Sequence, residues 1–241
     1  MNDKPPHSTE AAPGPVRLTR AGLLAGALET APVTLFAVTF GAVFGAAAVN
    51  KGLSVELTIL MSATVAAGAA QLATIDLWTP PVQIGAILIV TAAVTSRNIL
   101  MGASLYPWLK HLPPLPRHLV ANLVYEPNWV AGLNHYRRGD RDIGVLIGGG
   151  LVIYTAFVGG TAVGALIGGA MADPTRYGLD VLMIVFFVSL LTGMARQDRL
   201  RVVLPWAAAV AIALLAHWTL PAGWSIAAGG LAGAAVGALQ R

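Results

Sequence analysis

Long apolar runs with few or no charges alternate with short polar breaks along most of the chain. The first run covers residues 31–49, with Pro32 at its start and the turn Asn50-Lys51-Gly52 at its end. A second covers 55–77 and stops at Pro80-Pro81; a third covers 82–100, with Arg97 in its last third. Further runs follow at 143–171, 177–195, 202–219 and 222–239, the last two divided by Pro221. A helix needs about 20 mostly apolar residues to cross a bilayer core of about 30 Å. The pattern therefore predicts an all-α fold, a polytopic membrane helical bundle of about seven transmembrane helices. The helix-prone lead-in LTRAGLLAGALET (18–30) is expected to break at Pro32.

The long polar region from Pro107 to Asp142 holds LVANLVYEPNWVAGL (119–133), largely apolar, with Glu126 its only charge and interrupted by Pro127. Such a segment is either an eighth crossing or a re-entrant piece, allowed at depth only where protein or water covers its backbone. Domain organisation follows: a Pro-rich polar tail at 1–20, expected to be disordered, then a transmembrane domain over 21–241. Its halves are about 21–105 and 143–240, joined by a polar linker at 106–142. Gly178-Leu179-Asp180 before one run echoes Gly52-Leu53-Ser54 before another. A duplicated half is one reading of that echo, and coincidence in a Gly- and Leu-rich chain is the other.

Composition sharpens the membrane reading. Of 241 residues, 56% are hydrophobic and 11% charged, against about 25% charged in a soluble domain. The sequence pI near 9.8 reflects basic loops rather than a nucleic-acid partner. There is no cysteine, which removes disulfides, thiolate nucleophiles and Cys-based metal sites. The start does not read as a signal peptide, because no apolar core promptly follows its charges. Seven crossings with the N-terminus outside and eight with it inside give the same excess of Lys and Arg inside, so the positive-inside rule does not choose between them. Both place Arg196, Arg199, Arg201 and Arg241 in the cytoplasm, and with them the C-terminus.

Glycines recur at four-residue spacing: Gly160, Gly164 and Gly168; Gly229, Gly233 and Gly237; and the pair Gly41 and Gly45. That spacing makes a flat groove for close helix approach, a main source of association in lipid. Static packing and helix sliding during transport are both open. The Gly148-Gly149-Gly150 cluster is no phosphate loop, since no Lys-Ser/Thr follows it.

A charge at mid-bilayer costs about 2.5–3.5 kcal/mol on the insertion scale, so it survives with a partner or a wet cavity. The candidates are Gln71, Asp76, Arg97, Asn98, Glu126 and Asp180. Arg97 either snorkels to the headgroups or serves a site. Asp76 and Asp180, near run ends, are interfacial or coupling residues. Gln71, among small residues, makes an interhelical hydrogen bond or touches substrate. Enzyme signatures such as HExxH and GxSxG are missing, so no enzyme and no cofactor are expected. His217-Trp218 reads as an interfacial anchor, and His7, His111, His118 and His135 show no metal-ligand spacing.

Two stretches carry a family resemblance. GAVFGAAAVNKGLSVELTILMSATVAAGAAQLATIDL (41–77) contains Lys51-Gly52-Leu53-Ser54 and Ala67-Gly68-Ala69-Ala70-Gln71-Leu72, and Arg97-Asn98-Ile99-Leu100-Met101-Gly102-Ala103-Ser104-Leu105 follows. Together with Gly178-Leu179-Asp180, the ordered set resembles the azaleucine-resistance (AzlC-type) branched-chain amino acid permeases over roughly 17–200. The chain departs from the family pattern at Asn98, where a His is usual, at Met101 for Tyr and at Leu72 for Phe. The middle acidic motif is reduced to Tyr125-Glu126-Pro127.

The resemblance implies a permease of the bacterial cytoplasmic (inner) membrane that exports branched-chain or related amino acids, with a small multispan AzlD-like partner. Under that reading Arg97 neutralises a substrate carboxylate or pairs with Glu126, and Gln71 and Asn98 hydrogen-bond the zwitterion. Gly68 and Gly102 leave room for an aliphatic side chain. If the halves are inverted repeats, the site lies at their interface near mid-membrane. The rivals are a structural subunit that scaffolds the partner, an exporter of another small molecule, and a channel, for which no filter sequence is visible.

Overall fold

The lead-in and the first apolar run fold as two helices joined by a tightened turn, and the break falls at Pro32 as expected. In the computed structural model, which describes residues 16–75, 77, 78, 82, 84–168, 188, 199–219 and 224–240, helix α1 spans Arg20–Thr30 and α2 spans Thr34–Asn50. Between them Ala31–Val33 form one 3-10 turn, since Pro32 has no N–H to donate. Thr19 caps α1 by accepting the Gly22 N–H at 3.0 Å. Gly52 turns the chain with φ +90, a conformation that favours glycine, and Ser54 caps α3, Val55–Val65, by accepting from Leu57 N.

The second run is not one continuous helix. It breaks after α3 and resumes as α4, Gly68–Ile75. The third, by contrast, outruns its expected end at residue 100: α5 spans Ile84–Leu109 and carries Pro107 inside it. Met101 to Tyr106 contain no strong breaker, and buried Leu105, Trp108 and Leu109 extend its packed face. Arg97 therefore stands about halfway along a helix about 39 Å long, not in its last third. The polar region folds as α6, Pro114–Asn122, and α7, Glu126–Arg137, so 119–133 is not a single element. Pro127 sits in the first turn of α7, where a missing N–H costs little. Then come α8, Gly144–Gly168, α9, Arg199–Thr219, and α10, Trp224–Leu239. The expected run at 177–195 falls almost wholly outside the described residues.

Among the described residues, three helical stretches are long and apolar enough to cross a membrane: Arg20–Asn50, Ile84–Leu109 and Gly144–Gly168. The chain is an all-α membrane protein.

Two compact units divide the chain: Met1–Pro32 with Met101–Val152, and Val33–Leu100 with Ile153–Arg241. In the first, Leu105, Trp108, Leu109, Val120, Ile143 and Leu146 form the core. Asn128, fully buried, holds three backbone groups: its Oδ1 accepts from Tyr125 N (2.7 Å), and its Nδ2 donates to Leu123 O (2.7 Å) and Leu146 O (2.8 Å). Asp142 accepts from Thr19 N, Thr19 Oγ1 and Gly144 N, and an isolated parallel bridge pairs it with Arg17. The segment before α1 is thus tied to the start of α8. Gly26 and Gly148 let α1 and α8 touch backbone to backbone, at Val145 O and Leu23 O.

In the second unit, α2 and the later part of α8 meet through the glycines whose spacing marked them. A Cβ at Gly41 or Gly45 would overlap the carbonyl oxygens of Phe157 or Thr161, and one at Gly160 or Gly164 those of Val38 or Ala42. Gly229 and Gly233 likewise seat α10 on Ala209, Ala213 and Pro205 of α9. The core here is Val43, Phe44, Ala48, Leu53, Leu72 and Ile75.

Replacing Asn128 by leucine strands a buried amide and two carbonyls, and is expected to cost about 3 kcal/mol, read as a lower melting temperature in detergent. Gly45→Ala should lower it as well, by about 1–3 kcal/mol. Gly85→Ala, where a Cβ meets nothing within 4 Å, should leave it unchanged.

Candidate functional site

Helix α3 ends at Ala66 in the left-handed region, φ 46 and ψ 35, a conformation that costs an alanine about 1–2 kcal/mol. The break leaves the last carbonyls of α3 and the first N–H groups of α4 without partners inside their own helices. Two of the α3 carbonyls are met. Ser62 O accepts from Ala66 N (3.0 Å), and Ala63 O accepts from the hydroxyl of Tyr154 on α8 (2.9 Å). On the same helix pair the buried hydroxyls of Ser62 and Thr161 lie 2.9 Å apart, and Thr161 also donates to Phe157 O. On the far side of the break, Gln71 N donates to Ala67 O (2.9 Å) and closes the first turn of α4.

The side chain of Gln71 is 1% exposed, yet neither Oε1 nor Nε2 has a hydrogen-bond partner among the described residues. Thr74, one turn on, spends its hydroxyl on Ala70 O and Gln71 O. Helical Cα–Cβ bonds tilt toward the N-terminus, which for Gln71 is the end of α4 that borders the break. Gly68 is flanked by the rings of Phe40 and Phe157, each 2.8 Å from where a Cβ would lie. A buried amide with no partner costs about 1–3 kcal/mol. What the arrangement offers is one donor and one acceptor, beside the positive end of a half-helix and two aromatic rings.

The structure thus brings two of the sequence candidates, Gln71 and Gly68, onto one turn. Arg97 and Asn98 lie on α5 and are exposed, beside Ile99 and Leu100 at 73% and 74%. From the middle of a spanning α5, headgroups are about 20 Å away along the helix axis, farther than an arginine side chain extends. Gly102 is exposed with open space at its Cβ position, and Glu126 opens α7, partly buried. These two belong to the first unit and the other four to the second. Asp76 and Asp180 fall outside the described residues. Sequence reasoning missed Asn128, Tyr154 and Thr161. Each is a polar residue in a largely apolar stretch, the kind of signal that marked Gln71.

The AzlC protein family model matches residues 32–171 of the chain, more than half of it. The chain belongs to the AzlC family. No curated protein and no solved structure matches it. As an AzlC-family member it is a transport-related membrane protein and not an enzyme. The matched region runs from the 3-10 turn through α8 and so contains the α3–α4 break, Gln71, Arg97, Asn98 and Glu126.

Because no described group bonds the carboxamide, Gln71→Leu in this AzlC-family protein should leave the melting temperature unchanged or raise it, by up to about 2 kcal/mol in stability. A drop in the melting curve of substrate-free protein would instead mark the glutamine as a structural tie.

Proposed function

We propose that this AzlC-family protein is a permease of the bacterial cytoplasmic membrane that exports branched-chain or related amino acids. It works by alternating access, is driven by an ion gradient, and is the large subunit beside a small multispan AzlD-like partner. The C-terminus is placed in the cytoplasm. The observation that carries the reading is Gln71: a buried carboxamide with both atoms unused, at the first turn of a broken helix.

An amino acid zwitterion fits that chemistry. Its carboxylate accepts from the amides of the first α4 turn and from Gln71 Nε2, where the half-helix end favours negative charge. Its ammonium donates to Gln71 Oε1 and to the frayed carbonyl end of α3. The aliphatic side chain rests against Phe40 and Phe157, which give apolar contact with no hydrogen-bond demand. Arg97 is assigned a charge contact with the substrate carboxylate, as the mid-helix cation of α5. Asn98, Gly102 and Glu126 are assigned to substrate by the permease motif alone, and Asp76 and Asp180 to coupling or interfacial roles.

The test is export from cells loaded with a valine- or leucine-containing dipeptide, comparing a deletion strain with one carrying the chain and its partner. Wild type should clear the amino acid. Gln71→Leu and Arg97→Ala should slow clearance at least about tenfold, the loss expected when a positioned polar contact is removed, at equal membrane levels. Equal clearance with and without the chain would overturn the exporter reading. Normal clearance by Gln71→Leu would remove the glutamine from the site.

A further inference from the structure

A second cluster of polar chemistry lies in the first unit, away from the broken helix. His135, in the last turn of α7, has Nε2 2.9 Å from Glu29 Oε1 in the last turn of α1, and Nδ1 3.0 Å from Asp140 Oδ2 in the loop that follows α7. The imidazole is 21% exposed, against 46% and 34% for the two carboxylates. A neutral imidazole carries one N–H and one lone pair, whereas an ionised carboxylate only accepts. With a carboxylate oxygen at both ring nitrogens, only the doubly protonated ring satisfies both contacts. The ligand that completes this cluster is a proton.

The two contacts differ in reach. Asp140 is held to α7 by local bonds: Asp140 N donates to His135 O (3.0 Å), Gly139 at φ +88 makes the turn, and Asp142 N donates to Asp140 Oδ1 (3.0 Å). Glu29 is on a separate helix that packs on α7. Losing the proton therefore loosens α7 from α1 while Asp140 stays in place. The other charges nearby face elsewhere. Arg141 donates to Tyr136 O and lies 4.3 Å over the Tyr136 ring, Asp142 is bound by Thr19 and Gly144, and Arg137 and Arg138 are exposed.

We propose that His135 is a proton-binding site that latches α7 to α1, and that release of this latch sets the alkaline limb of transport. The coupling to transport rests on the permease reading above; the latch does not. Hydrogen bonds that the His135 ring donates to the carboxylates of Glu29 and then Asp140 hold it above its ordinary pKa. Against the upward push of partial burial, hydrogen bonds from His135 and from the Asp142 and Arg141 amides hold Asp140 below its own. The signs follow. A raised histidine contributes stability that is complete below about pH 6.5 and lost as pH climbs through the raised value. The Asp140 contribution is lost only as pH falls through its lowered value.

With no native cysteine, nitroxide labels at Leu24→Cys on α1 and Val130→Cys on α7, both exposed, report the α1–α7 distance in the full chain in lipid nanodiscs. Between pH 5.5 and 9 the wild-type distance distribution should broaden and lengthen as the ring deprotonates. His135→Gln should give one pH-independent distribution. Glu29→Gln, a change at a half-exposed position, should move the transition down by about one pH unit. A flat wild-type response, or the same transition in His135→Gln, would overturn the latch. In the export assay His135→Gln should lose the alkaline fall in rate, and a pH profile identical to wild type overturns the coupling. Absence of wild-type export at every pH would count against the permease reading, and the spin-label distances still decide the latch.

Discussion

Lipid offers no hydrogen bonds, and that constraint governs how the breaks among the described residues are built. A helix may be interrupted within a membrane protein only where the freed backbone groups find partners inside the fold. At Ala66 the partners are Tyr154 and the Ala66 amide itself. Between α6 and α7 a single side chain, Asn128, serves Tyr125 N, Leu123 O and Leu146 O. The lone polar residues of the apolar stretches are largely accounted for by this need.

Two buried amides show the difference between structure and function. Asn128 uses both amide atoms, every partner is a backbone group, and its removal strands all of them. Gln71 is as deeply buried and uses neither atom. A fold gains nothing from such a group, and for that reason the proposed substrate site is built on it. Its position strengthens the point, since the first turn of α4 turns the positive end of a half-helix toward the same space. The glycines are the complement of these polar ties. By letting carbonyls of one helix touch the backbone of the next, they make close packing possible where hydrophobic burial gives little drive.

Much was legible in the sequence, for identifiable reasons. Charge-free runs of spanning length mark membrane helices regardless of tertiary detail, because the bilayer acts on each run separately. Pro32 marked a break and the four-residue glycine spacing marked packing faces, since both effects are local to one helix. Gln71 stood out as a polar residue among small ones. The end of α5 is not legible locally, because its continuation past residue 100 depends on Leu105, Trp108 and Leu109 being buried. The contact between His135 and Glu29 is invisible in the sequence because the two lie 106 positions apart.

The sequence alone determined the all-α membrane class, the packing function of the glycines and the short list of polar residues at depth. These follow from composition and period, which need no knowledge of what lies opposite. Tertiary structure decided which polar residue does what. Ala66 leaves the helix although alanine is the best helix former, so no local signal announces that break; contacts from α8 hold it. Whether a buried amide is satisfied, as at Asn128, or open, as at Gln71, depends on groups distant in sequence, and only the packed chain brings them within hydrogen-bond reach.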